Sequence, residues 1–258
     1  MKAPPVDPAL RLPRTAATVE HEACRERRVL LSAETERDKG YVAAYRMLRT
    51  RLLHRAGTSN WTTIAVTSAG PNDGKTLTAV NLALSLAREQ TREIVLLDMD
   101  MRNPSVCRAL GVQPAHELRD YLEHGDDLQN LFMSVGSDNL LVAGSVTPTE
   151  RASELLASPW FDELIARIKQ GTTDPIILLD LPPVLVTDDA LVVAPKMDAF
   201  LFVTSEGLTS RTDLAKSLEL LAEFPMAGVV LNRAAKTAPD YNYAYELDAE
   251  PGLRSKKV

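Results

Sequence analysis

The chain has 258 residues, 45% of them hydrophobic and 25% charged, which suits one large domain or two small ones with a real core. Collagen-like, low-complexity and wholly disordered classes are excluded. Charge is uneven: residues 1–56 balance at +5 and residues 57–258 at −11, for a net −6. An acidic body argues against nucleic acid as the main ligand. A basic arm is either a solvated segment or one that touches an acidic neighbour or an anionic membrane surface.

Cys24 and Cys107 show no metal-ligand or redox spacing, so two free thiols in a reducing compartment are expected. The start, MKAPPVDPALRLP, places prolines where a signal peptide needs its apolar stretch. No run approaches the roughly 18 apolar residues of a membrane helix. The expectation is a cytoplasmic protein that reaches a membrane only through a partner.

In chain order, residues 1–38 read as a flexible basic arm, 39–235 as one domain, and 236–258 as a flexible tail. The domain opens with a helix over 39–56, where Tyr41, Tyr45, Leu48 and Leu52 form a stripe three or four residues apart. Gly57 is expected to close it. Strands are predicted at WTTIAVTS (61–68), IVLLDMD (94–100), NLLVAG (139–144), IILLDLPP (176–183), AFLFVTS (199–205) and AGVVLN (227–232). Helical segments lie between them, including TLTAVNLALSLARE, ERASELLASPWFDELIARIKQ with a break or restart at Pro159, and roughly 210–224. Alternation of this kind predicts an α/β fold, a three-layer α/β/α domain with a mostly parallel sheet. Three of the six tyrosines, Tyr241, Tyr243 and Tyr245, crowd into the tail.

The strongest motif is SAGPNDGKT, residues 68–76, between a predicted strand and a predicted helix. Gly70, Pro71, Asn72, Asp73, Gly74, Lys75, Thr76 and Leu77 read as a loop whose backbone N–H groups cradle phosphate oxygens. Lys75 reaches the terminal phosphates, and Thr76 offers its hydroxyl to Mg²⁺. Ala69 stands where such loops usually have their first glycine. Asp98 and Asp100 end one apolar strand, and Asp180 ends another. Ligands sit beyond the carboxyl ends of strands in open parallel sheets, so all three acids are expected to converge on the loop. Asp188 and Asp189 are expected to cap the next helix.

These residues resemble the bacterial tyrosine kinase family, the autokinases of capsule and exopolysaccharide synthesis. The resemblance runs from about Ala43 to Arg233. It rests on VTSAGPNDGKTLTAVNLALSLA, IVLLDMDMRNPSV, ASELL (152–156), IILLDLPPVLVTDDA and GVVLNR. It implies ATP and Mg²⁺ as cofactors, with Lys75 and Thr76 on the phosphates and metal. Asp98 would be metal-associated or take the tyrosine proton, Asp100 would assist, and Asp180 would orient metal or water. Asn232 would face the adenine.

Tyr241, Tyr243 and Tyr245 would be phosphoacceptors, modified in trans within a homo-oligomer. Each phosphate brings about −1.5 to −2 charge beside Asp240, Glu246 and Asp248. A membrane polysaccharide co-polymerase or chain-length regulator would be the activating partner, recruiting the protein to the inner face of the membrane. Arg46 and Arg49 match the family's oligomer contact, while Ala43 stands where that motif has glutamate.

Two other readings share the loop. One is a nucleotide-switched positioning-type ATPase; that group usually carries a second lysine five residues before the loop lysine, where this chain has Gly70. The other is a non-catalytic nucleotide-binding regulator of the polysaccharide machinery, against which the intact Lys75, Thr76 and three acids weigh.

Overall fold

The computed structural model describes residues 11–17, 19, 24, 27–29, 36–125 and 128–234. Among these, the strands are β1 (Arg14–Ala16), β2 (Thr63–Ser68), β3 (Ile94–Asp98), β4 (Phe132–Ser134), β5 (Leu140–Ala143), β6 (Ile176–Asp180), β7 (Ala199–Ser205) and β8 (Met226–Asn232). The α-helices are α1 (Glu36–Ser59), α2 (Lys75–Ala87), α3 (Val106–Leu110), α4 (Leu118–His124), α5 (Ala152–Leu156), α6 (Pro159–Gly171), α7 (Asp189–Val193) and α8 (Arg211–Leu220).

β2, β3, β6 and β7 are buried along their whole length, as strands covered on both faces must be. The sheet order is β1-β4-β5-β3-β6-β2-β7-β8, and every neighbouring pair is parallel except β4 with β5. Side chains alternate between the faces. Ile94 and Leu96 join one core with Leu52 and Ala56 of α1, Ala83 of α2 and Leu110 of α3. Val95 and Leu97 join the other with Leu122 of α4, Leu156 of α5, Phe161 and Leu164 of α6, and Val193 of α7. The predicted three-layer α/β/α architecture is the one observed.

Differences from expectation have local causes. The first helix runs to Ser59, so Gly57 does not close it; Asn60 does, in the left-handed conformation at φ 56°. Leu52 is buried while Tyr41 is exposed, so the apolar stripe begins one turn later than the spacing suggested. Pro159 restarts a helix, taking the first turn of α6, where its missing N–H costs nothing. Part of the segment read as a flexible arm belongs to the domain. Arg14–Ala16 pairs with β4, Arg14 bridges to Glu93 at 2.9 Å, and Leu12, Cys24 and Val29 are buried. A three-residue strand carries no periodicity to read. Tyr241, Tyr243 and Tyr245 lie outside the described residues. Among the described residues no helix is long and apolar enough to cross a membrane.

Asp198 anchors the start of β2. Its Oδ2 accepts hydrogen bonds from the backbone N–H of Thr62 and Thr63 and from the Thr63 hydroxyl, at 2.7, 2.8 and 2.9 Å. Burial alone would raise its pKa, but these donors favour the carboxylate and hold it below its ordinary value. A depressed carboxylate stabilises the fold above its unfolded pKa, and that stability fades as pH falls through the folded value. Asp198→Asn is therefore expected to cost about 1–2 kcal/mol at neutral pH, allowing for solvent screening. Urea unfolding at a series of pH values should show the gap from wild type closing below about pH 4.

Candidate active site

The phosphate loop leaves β2, which lies between β6 and β7, at the carboxyl edge of the sheet. Gly74 has φ +95°, and a Cβ there would sit 2.0 Å from Asn232 Nδ2. Glycine is required twice over, by backbone conformation and by space. Asn72 is also left-handed, at φ 65°. Ala69 is buried and is not among the left-handed residues, so nothing at that position demands glycine. Asp73 braces the loop: its Oδ2 accepts from the Gly70 N–H at 3.0 Å, and its Oδ1 from the Thr209 hydroxyl at 2.6 Å. Asn232 donates to the Asp73 carbonyl at 2.9 Å, and Arg233 donates to the Asn72 carbonyl at 2.8 Å. Asn232 thus touches the outer side of the loop. Arg233 and Thr209 are braces that the sequence reading did not assign.

Parallel pairing of β3 with β6 sets Asp98 opposite Asp180. Both are fully buried. Burial, and for Asp98 also the charge of Asp180, raises both pKa values. Lys75 Nζ lies 2.6 Å from Asp100 Oδ2 and 3.8 Å from Asp180 Oδ1. Burial opposes the lysine charge, but the carboxylates of Asp180 and Asp100 outweigh it and raise the Lys75 pKa. Thr76 donates to Asp180 Oδ2 at 2.6 Å. The convergence expected from the strand ends is present.

Asp98 and Asp100 are not equivalent, however. The strand ends at Asp98, so the alternation that would give them a common face stops there. Asp100 lines an open cleft of 520 Å³, whereas Asp98 lies beneath it. Asp98 Oδ2 instead accepts the Ser105 and Val106 N–H groups, at 2.7 and 2.8 Å, and so fixes the start of α3. Gly144 makes room for it: a Cβ there would lie 2.9 Å from Cys107 Sγ and 3.2 Å from Asp98 Cβ. Asp188 and Asp189 do not cap α7 with their side chains. Both accept from the Ser153 hydroxyl, and the buried Asp189 pairs with Arg102 at 3.1 Å. Ser153 and Arg102 both fall in the quoted motifs, yet only tertiary contact shows them as partners.

Three carboxylates face one ammonium here, so with all of them ionised the cluster is short of positive charge. Asp98 Oδ1 and Asp180 Oδ1 are buried with no hydrogen-bond partner among the described residues. Two orphaned carboxylate oxygens beside a phosphate loop fit a divalent cation. No group of three or more His, Cys, Asp or Glu among the described residues is arranged to hold a metal unaided.

The ParA family model, described as that of the NUBPL iron-transfer P-loop NTPase, matches residues 60–254. The tyrosine-protein kinase CpsD of Streptococcus pneumoniae serotype 4 is 34% identical over 178 residues, covering 66% of this chain and 75% of that one. The chain belongs to the bacterial tyrosine kinase family. The tyrosine-protein kinase YwqD of Bacillus subtilis strain 168 is 28% identical over 205 residues, 78% of this chain and 84% of that one. Among solved structures, the kinase domain of the Escherichia coli tyrosine kinase ETK matches with a TM-score of 0.68 and 27% identity, over 79% of this chain and 81% of that one. This family member keeps a P-loop NTPase core of the ParA type.

Of the two arginines that the resemblance assigns to an oligomer contact, Arg49 is engaged within the chain. It pairs with Glu89 at 2.9 Å and donates to the Ser85 carbonyl at 3.0 Å, tying α1 to α2. Arg46 is exposed.

Gly74→Ala is expected to lose about 1–3 kcal/mol of stability and most nucleotide affinity. Adding Asn232→Ala should restore only part of the stability, because it removes the close contact and leaves the φ constraint. Urea unfolding together with titration of a fluorescent ATP analogue separates the two effects.

Proposed function

We propose that the chain is an ATP-dependent protein-tyrosine autokinase whose acceptors are its own Tyr241, Tyr243 and Tyr245, modified in trans within a homo-oligomer. The observation that carries this reading is one connected cluster: Lys75, Thr76 and Asp100 line the cleft, the buried Asp180 contacts Lys75 and Thr76, and Asp98 lies opposite Asp180. The kinship with CpsD and YwqD supports it, since both of those are named tyrosine-protein kinases.

In this reading the loop N–H groups and Lys75 hold the β- and γ-phosphates. Thr76, Asp180 and Asp98 are the groups that would hold Mg²⁺, which when bound neutralises charge on the phosphate oxygens. Asp100 is on the cleft wall and is the carboxylate that an entering tyrosine hydroxyl meets. Asp98 lies behind it, fixed by α3. Asn232, at the outer side of the loop, faces the adenine. By its kinship the protein would serve exopolysaccharide or capsule polymerisation and export from the inner face of the cell membrane. A membrane chain-length regulator would be its activator.

Full-length protein incubated with Mg-ATP should acquire phosphotyrosine, located by mass spectrometry in the peptide 236–254. Lys75→Ala should abolish it, and replacement of all three tail tyrosines by phenylalanine should remove the tail phosphate. Steady ATP hydrolysis without any phosphotyrosine would favour the positioning-type ATPase instead, a reading that Gly70 at the second-lysine position opposes.

A further inference from the structure

The mouth of the cleft carries two arginines that no role above employs. Arg27 comes from the N-terminal segment and Arg108 from α3, and both line the cleft and are exposed. Neither forms an ion pair with a carboxylate among the described residues. Arg102, on the same wall, differs: Asp189 and Glu150 both pair with it at 3.1 Å. Among the described residues neither guanidinium meets a carboxylate, although the body over residues 57–258 balances at −11.

Their position is built rather than incidental. Arg27 Nη1 donates to the Arg108 carbonyl at 2.6 Å, and Arg108 Nη2 to the Ser105 hydroxyl at 2.9 Å. The segment that delivers Arg27 is anchored on both sides. Cys24 is buried with its thiol directed at the Leu110 carbonyl, Val29 is buried, and the Arg28 carbonyl accepts from Asn81. The arm therefore crosses α2 and α3 and places a cation at the cleft.

The nucleotide does not account for this pair. The phosphates are served by Lys75 and the loop N–H groups, and Asn232 at the end of β8 marks the other side of the loop. In the sheet, β2 is separated from β3 and α3 by β6, whereas β8 lies beyond β7 in the opposite direction. Arg27 and Arg108 thus stand on the side away from Asn232, at the α3 side of the cleft.

We propose that Arg27 and Arg108 form a docking site for an acidic tyrosine-bearing segment, namely residues 240–250 of this chain's own tail. This rests on the kinase reading above. The match is one of charge: Asp240, Glu246, Asp248 and Glu250 flank Tyr241, Tyr243 and Tyr245, with no Lys or Arg from Thr237 to Leu253. Arginine forks bind carboxylates in bidentate geometry, and opposite charge also speeds encounter. The arm then sets which tyrosines reach Lys75 and Asp100.

The test uses the full-length chain with its three tail tyrosines replaced by phenylalanine, and added peptides spanning 236–250. The natural peptide, one with its four acids changed to Asn or Gln, and one with those acids changed to Lys are compared. Phosphotyrosine formation and peptide binding by fluorescence anisotropy are both read. The neutral peptide is expected to show a KM and a Kd at least about tenfold higher than the natural one. Arg27→Glu with Arg108→Glu should reverse the order, preferring the Lys peptide, while the KM for ATP stays unchanged.

Arg27→Gln with Arg108→Gln, a milder change, should erase the preference without inverting it. Equal use of all three peptides by the tail-substituted chain with both arginines intact would overturn the proposal. So would a raised KM for ATP in the variants with peptide preference intact, because the arginines would then serve the nucleotide. Arginine-dependent peptide binding with no phosphate transfer would uphold the docking site and sink the kinase reading.

Discussion

Asp98 and Asp180 end adjacent parallel strands, and the pairing register sets them directly opposite each other, both fully buried. Two buried like charges at that separation repel strongly, and the fold must supply compensation. Lys75 supplies part of it, on the first turn of α2, with Asp100 as its nearest partner. Backbone N–H groups of α3 supply another part, through Asp98 Oδ2. Asp98 Oδ1 and Asp180 Oδ1 accept no hydrogen bond among the described residues, and these are the atoms that a divalent cation and a polyphosphate would complete. The site is thus poised by a deficit of positive charge that the sheet itself creates.

That deficit explains why so much of the surrounding structure is bracing. Asn232, Thr209 and Arg233 hold the loop from outside, the first two through Asp73. Asp189, Ser153 and Arg102 hold the connection after β3 against α7. These contacts cross between elements far apart in sequence, so loss of any one loosens a loop rather than a core. The hydrophobic layers above and below carry the stability. The polar braces carry the geometry.

The arm changes how the molecule is organised. A segment rich in proline and charge joins the sheet through Arg14–Ala16 and then reaches the cleft with Arg27. Its described contacts fall at the edge strand and at the cleft mouth, linking this segment to the site. α1, which follows, packs on α2 through Arg49 and Leu52. Movement of this region would be felt at the phosphate loop through the helix that the loop begins.

The sequence by itself determined the class of fold and the centre of the site. Short apolar runs ending in acids and alternating with helical segments read as buried parallel strands, and a Gly-Lys-Thr turn between strand and helix is suited to presenting N–H groups to an anion. Those signals are local, and period and spacing suffice to read them. It also carried the kinship, since the motifs recur together in order.

Tertiary structure alone decided the rest. It separated Asp98 from Asp100, because the strand stops between them and only one reaches the cleft. It turned Asp188 and Asp189 from expected caps into partners of Ser153 and Arg102. It drew Cys24, Val29 and Arg27 out of an apparently free arm. Each of these depends on which residues meet across tens of positions, and no local periodicity encodes that.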